Sequence, residues 1–153
     1  MRTNWKKLLL FIAIPLGVGG LAALLSGGMG QTYGDYLKPP LSPPGWVFGV
    51  VWPILYALMG YASFLVAQSE GSKTRPFVLY GAQLLVNFLW PIFFFRFEQI
   101  GVALALLAVL WVLVLLTIRE FSELSDKAGD LLIPYILWLS FALYLNFGIY
   151  VLN

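Results

Sequence analysis

Five long apolar stretches alternate with short polar intervals along the chain. They run over 8–26, 45–67, 77–95, 100–118 and 131–152, and every charged residue falls between them or beyond them. Each holds roughly the ~20 residues needed to cross ~30 Å of hydrocarbon at ~1.5 Å per residue. Alternating segments of about ten residues, the mark of a membrane barrel, are absent. The pattern predicts an all-α integral membrane protein: a five-transmembrane-helix bundle forming one domain over 1–153, with a long ordered first loop.

The connectors are unequal. Residues 27–44 include Gly27, Gly28, Gly30, Gly34, Pro39, Pro40, Pro43 and Pro44. Glycine permits sharp reversals and proline fixes extended geometry, so an ordered, non-helical excursion is expected there, serving as a lid or as a plain connector. Arg96 to Gln99 is barely a turn, which makes the third and fourth helices antiparallel neighbours. Arg2, Lys6, Lys7, Lys73, Arg75, Arg119 and Lys127 fall on one side of the bundle, against Lys38 and Arg96 on the other. Seven against two predicts a cytoplasmic amino terminus and an outer carboxyl terminus. The first apolar run exceeds the ~7–15 residues of a secretory signal core and no small-residue cleavage site follows, so it reads as a retained span. No internal repeat is visible, which weakens an inverted-repeat transporter reading.

Composition agrees with the pattern. The 153 residues are 61% hydrophobic, 17% aromatic and only 10% charged, far from the ~25% charge of a soluble domain. A net charge of +2 gives no basic field for nucleic acid. There is no Cys and no His, which excludes disulfides, zinc sites of the usual kind and the common catalytic triads. The spans carry no Asp, Glu, Lys or Arg away from their ends, against the needs of a proton pump or an ion-coupled transporter.

What the spans do carry is aromatic surface with sparse amides. Trp52 and Tyr56 lie four apart, with Met59 and Gly60 continuing their face. Gln83, Asn87, Trp90 and Phe94 follow helical spacing on the third helix, and Trp138, Ala142 and Asn146 form a stripe on the fifth, with Tyr135 and Phe141 nearby. The plain alternative is structural: interface tryptophans such as Trp5 and Trp46 serve as anchors, and Asn87 and Asn146 bond between helices. Trp111 has no polar residue in helical register and is read as packing or facing lipid. Pro53, Pro91 and Pro134 stand beside Trp52, Trp90 and Tyr135. A proline bends a membrane helix and opens space, although Pro134 in a first turn would cost nothing. Small residues at Gly101, Ala105 and Ala108, and at Gly45 and Gly49, permit close helix packing.

Three segments carry a specific resemblance: KPPLSPPGWVFGVVWPILYALMGYA from Lys38 to Ala62, QLLVNFLWPIFFF from Gln83 to Phe95, and PYILWLSFALYLN from Pro134 to Asn146. Together they resemble the signature of the TspO/translocator protein family, and span count and length agree over essentially the whole chain. The resemblance implies a homodimer of five-helix bundles in a bacterial cell membrane, with a ligand cavity beneath the first loop. It implies porphyrins and other tetrapyrroles as ligands, drug-like translocator ligands besides, contact with membrane lipid, and no cofactor. On matching positions the pocket would involve Tyr33, Trp46, Trp52, Tyr56, Asn87, Trp90, Trp138, Ala142 and Asn146. Trp52 and Trp138 match the two tryptophans on which the light-dependent porphyrin breakdown of some bacterial members relies.

The functional expectation is therefore a tetrapyrrole-binding membrane protein acting as sensor, carrier or regulator. A light-dependent degrader, a facilitative carrier and a passive assembly bundle are the alternatives. Propionate groups would need donors, for which Lys38, Tyr33 and loop amides are the candidates at the outer mouth. Without His or Cys, haem would lack its usual axial ligand, so ring shape should govern binding more than iron. The animal sterol pattern wants Lys or Arg shortly after a late Tyr. Tyr150 is followed only by Val151, Leu152 and Asn153, so sterol binding by that route is not expected.

Overall fold

The computed structural model describes residues 4–27 and 33–153. Five helical units in it are long and apolar enough to cross a membrane. Helix α1 covers Trp5–Ser26, α2 Trp46–Gln68, and α3 Thr74–Pro91. A π-helical segment over Ile92–Arg96 continues α3. Helix α4 covers Ile100–Leu124, the short α5 Asp126–Leu131, and α6 Ile133–Leu152.

The boundaries follow from local chemistry. Asn4 caps α1, its side chain accepting from the Lys7 N–H at 3.2 Å. Helix α4 runs past the predicted end at 118 to Leu124, because Arg119, Glu120 and Glu123 can stay helical once outside the apolar zone. There Glu120 meets Arg75 of α3 at 3.0 Å. Ser125 then caps α5 by accepting from the Ala128 N–H at 3.2 Å. Pro134 stands in the first turn of α6, where its missing N–H would have had no partner.

Around the bundle α2 packs on α1, α1 on α3, α3 on α4 and α4 on α6, while α5 reaches from α4 back to α2. Lys127 of α5 lies 5.2 Å over the Tyr61 ring of α2, fixing that crossing. The antiparallel α3–α4 pair matches the short Arg96–Gln99 connection. Helices α1 and α2 touch backbone to backbone at Gly60: a Cβ there would stand 2.5 Å from the Ile12 Cα. Helix α6 closes the ring on α2 through side chains, with Phe48 against Trp138 and Trp52 against Tyr135.

The first connector is only partly as expected. Residues 28–32, including Gly28 and Gly30, lie outside the described residues. The rest opens with a helical stretch at 33–35 and then runs without regular structure through the prolines, turning at 40–41 where Leu41 takes a φ of 71°. It is strapped to the end of α6. Tyr144 donates to the Pro40 carbonyl at 2.6 Å, and the Asn153 amide exchanges hydrogen bonds with the Leu37 N–H and C=O at 3.1 and 2.8 Å.

Candidate ligand site

Proline organises the space inside this ring. Pro53 on α2 and Pro91 at the end of α3 each withhold a backbone N–H from the helix ladder. After Pro91 the helix widens, with the Phe97 N–H reaching the Ile92 carbonyl at 3.1 Å, an i to i+5 bond. The widened turn buries both Phe94 and Phe95, whose centroids lie 4.6 Å apart. It also delivers Arg96 to the end of α1, where its guanidinium donates to the Leu25 carbonyl at 3.1 Å, a favourable place for a cation.

Between α1, α2 and α3 lies a cavity of about 260 Å³, and both prolines line it. Trp52, Tyr56, Asn87 and Trp90 form its inner wall. Gly19, Gly20, Ala22 and Ala23 of α1 form the wall opposite. The contribution of α1 was not anticipated: its residues here are small and apolar, and the only signal was the run of Gly17, Gly19, Gly20, Ala22 and Ala23.

Trp52 is the hub of the aromatic wall. It stacks on Tyr56 at 5.6 Å, lies 6.3 Å from Trp90, and meets Tyr135 and Trp138 edge-on at 6.3 and 6.5 Å. Such pairs contribute about 0.5–1.5 kcal/mol each beyond burial. Behind the wall runs a linear chain of hydrogen bonds. The Tyr56 hydroxyl donates to Asn87 Oδ1 at 2.6 Å, Asn87 Nδ2 to the Tyr135 oxygen at 2.6 Å, and the Tyr135 hydroxyl to Gln83 Oε1 at 2.7 Å. Trp90 Nε1 donates to Asn146 Oδ1 at 2.9 Å, and Asn146 Nδ2 to the Ile100 carbonyl at 3.2 Å. The amides that looked like ligand contacts are thus engaged in holding α3, α4 and α6 together. No Asp, Glu, Lys or Arg is among the residues lining the cavity.

The predicted site residues divide into groups. Trp52, Tyr56, Asn87 and Trp90 share the large cavity. Tyr33, Ala142 and Asn146 instead line, with Trp90, a void of about 10 Å³ beneath the connector, barely room for one water. Phe48 lines both spaces and stands between them, its ring 5.0 Å from Tyr33 and 5.6 Å from Trp138. Trp138 supports the wall from behind, and its Nε1 is buried without a hydrogen-bond partner. Trp46 is 70% exposed and lines neither space.

One expectation is corrected. Lys38 and Tyr33 are not waiting donors. The Lys38 ammonium is held by the carbonyls of Tyr33, Gly34 and Tyr36 at 3.1, 3.4 and 2.9 Å, and the Tyr33 hydroxyl donates to the Pro43 carbonyl at 2.7 Å. A loop poor in regular structure leaves carbonyls unpaired, and these side chains satisfy them first. Trp111 packs against the core as expected, and its Nε1 also donates to Ser140 Oγ of α6 at 2.9 Å.

Five membrane-crossing helices, three of them enclosing an aromatic, uncharged cavity, define an integral multi-pass membrane protein with room for an apolar ligand. Its relatives agree. The TspO/MBR family model matches residues 11–152. A tryptophan-rich sensory protein of Cereibacter sphaeroides is 38% identical over 153 residues, covering 100% of this chain and 95% of that protein. The translocator protein of Bos taurus is 34% identical over 152 residues, covering 96% and 90%. A tryptophan-rich protein TspO of Archaeoglobus fulgidus is 37% identical over 153 residues, covering 98% and 99%. The chain belongs to the TspO/MBR family, and that membership supports a ligand-binding role in the membrane.

Proposed function

We propose that this protein binds porphyrins and related tetrapyrroles, in the dark and without turnover, in the cavity between α1, α2 and α3. The observation that carries the reading is the Trp52 cluster: a wall of indole and phenol rings facing an uncharged space. A flat apolar macrocycle gains from such a wall, whereas a charged solute finds no partner there. At about 260 Å³ the cavity falls just below the ~300–1,000 Å³ of small-molecule pockets. A ring too large for the cavity would stand edge-on in it with its outer rim outside. Propionates then stay near the ends of α1 and α2, where the exposed guanidinium of Arg96 supplies a cation. The buried, unpartnered Nε1 of Trp138 is a donor for an acceptor on a ligand that displaces Phe48, an arrangement that relieves a cost of roughly 1–3 kcal/mol.

A second reading rests on the same tryptophans. Trp52 and Trp138, 6.5 Å apart, would hold a photosensitiser against two oxidisable indoles, which favours light-dependent breakdown of the bound ring. One sample separates the two. Purified protein with protoporphyrin is followed by absorbance in darkness and then under light. A spectrum that shifts saturably and survives illumination supports the binder, and loss of the bands faster than in a protein-free micelle supports the degrader. Absence of any saturable shift refutes both. Flux across proteoliposomes loaded with protoporphyrin tests the carrier role.

A further inference from the structure

We propose that the cavity is entered from the hydrocarbon phase of the membrane, through the seam between α1 and α2, and not from the aqueous end beneath the first connector. The inference rests on the ligand-binding reading above and adds the route. Along one cavity, exposure changes from wall to wall. Tyr56, Asn87 and Trp90 at its inner side are buried, while Leu16, Gly20, Ala23, Gly49 and Pro53 at its rim are exposed. All five rim residues belong to α1 and α2, inside their membrane-crossing lengths, so the surface they open onto is the lipid-facing one.

The rim is open because its side chains are small. A Cβ built on Gly20 or on Gly49 would meet nothing within 4 Å. The same helix pair is closed elsewhere: Gly60 seals it against the Ile12 backbone, and Gly19 stands against the Tyr56 ring. The gap is therefore confined to the rim between Leu16 and Ala23 on α1.

The opposite end is held shut over its described part. Tyr33 is 4% exposed and bonded to Pro43, Lys38 is tied to three carbonyls, and Tyr144 and Asn153 strap the connector to α6. Beneath it the free space is only about 10 Å³. A ligand arriving from water would have to break these bonds, whereas one dissolved in the bilayer meets an apolar opening. This selects apolar, membrane-partitioning rings with their polar groups on one edge, since that edge can remain at the interface.

The test is stopped-flow binding of metal-free protoporphyrin to the full chain in lipid nanodiscs, following tryptophan quenching. The mouth variant Gly20→Leu/Gly49→Leu has space for its new side chains. Circular dichroism and thermal melting establish that it is folded, with the single Gly49→Leu as a second, milder block. Association and dissociation rates should both fall, association by roughly tenfold or more, as for a narrowed passage, whatever change in Kd comes from Gly20 and Gly49 also lining the cavity. The strap variant Tyr144→Phe/Asn153→Ala should leave both rates unchanged. Faster entry in the strap variant with no effect of the mouth variant overturns the route. So does weaker binding through faster dissociation in the mouth variant, which would make the rim a contact and not a passage. If the parent itself shows no saturable quenching, the binding reading fails and the route falls with it. Normal equilibrium binding with rates insensitive to the mouth sinks the route alone.

Discussion

Asn87 and Tyr135 hold one another across the bundle, the amide Nδ2 donating to the phenol oxygen at 2.6 Å, and each residue is bonded onward, Asn87 to Tyr56 and Tyr135 to Gln83. All four side chains are buried. The chain links α2, α3 and α6 directly behind Trp52, so it fixes the wall of the cavity. Tyr135→Phe deletes two of these bonds while keeping the ring, and leaves Gln83 Oε1 and Asn87 Nδ2 unpaired. Membrane interiors moderate such losses to about 0.6–2 kcal/mol per bond. Reversible unfolding in mixed micelles should register a loss of about 1–3 kcal/mol. An unchanged midpoint would mean the network is not a structural element.

Backbone approach makes a sharper contrast among the glycines. Gly60→Leu drives a side chain into the Ile12 backbone, whereas Gly17→Leu projects into open space. Thermal melts should show Gly60→Leu destabilised by about 1–3 kcal/mol or more. Gly17→Leu should fall within about 0.5 kcal/mol of the parent. Equal effects would contradict the close α1–α2 contact.

Iron should matter little. His and Cys are absent from the chain, so the commonest protein donors for haem iron are missing. Haem and metal-free protoporphyrin titrated side by side in darkness should differ in Kd by less than about tenfold, or ~1.4 kcal/mol. A much larger preference for haem would require an iron ligand that the account does not contain.

The docked connector should be insensitive to pH across the physiological range. Burial raises the Tyr33 phenol above its ordinary value of 10.0, with a smaller opposing effect from the Ser42 hydroxyl. The neutral phenol is the form that donates to Pro43, so its contribution is fully present below pH 10. It is lost as pH rises through the raised value. Limited proteolysis of the connector should be flat from about pH 6 to 9. In Tyr33→Phe it should be faster at every pH.

The architecture was legible because a bilayer demands about 20 apolar residues per crossing and tolerates charge only at the ends. The aromatic stripes were legible for a similar reason, since Trp52 with Tyr56 and Gln83 with Asn87 sit at helical spacing. Their partners were not. Whether Asn87 faces a ligand or bonds Tyr135 depends on how α3 and α6 are rotated against each other, which no single helix encodes. The wall formed by α1 was silent because glycine and alanine mark a gap and a tight contact alike. Gly19 lies against Tyr56 while Gly20, its neighbour, faces open space. Lys38 misled for a physical reason: a cation beside a proline-rich loop is drawn first to that loop's own carbonyls.

The central claim is that the wall around Trp52 is the binding surface, and a dark titration tests it most directly. Protoporphyrin is added to the parent, to Trp52→Phe/Trp138→Phe and to Trp46→Phe in the same detergent, with Kd read from absorbance. Losing the Trp52 indole, which lines the cavity, together with the Trp138 indole that backs it, removes one contact surface worth about 0.5–1.5 kcal/mol and should weaken binding roughly two- to tenfold in the double variant. Trp46→Phe, exposed and outside the cavity, should bind like the parent. Equal Kd values for the parent and the double variant, or a loss confined to Trp46→Phe, would place the ligand elsewhere and contradict the account.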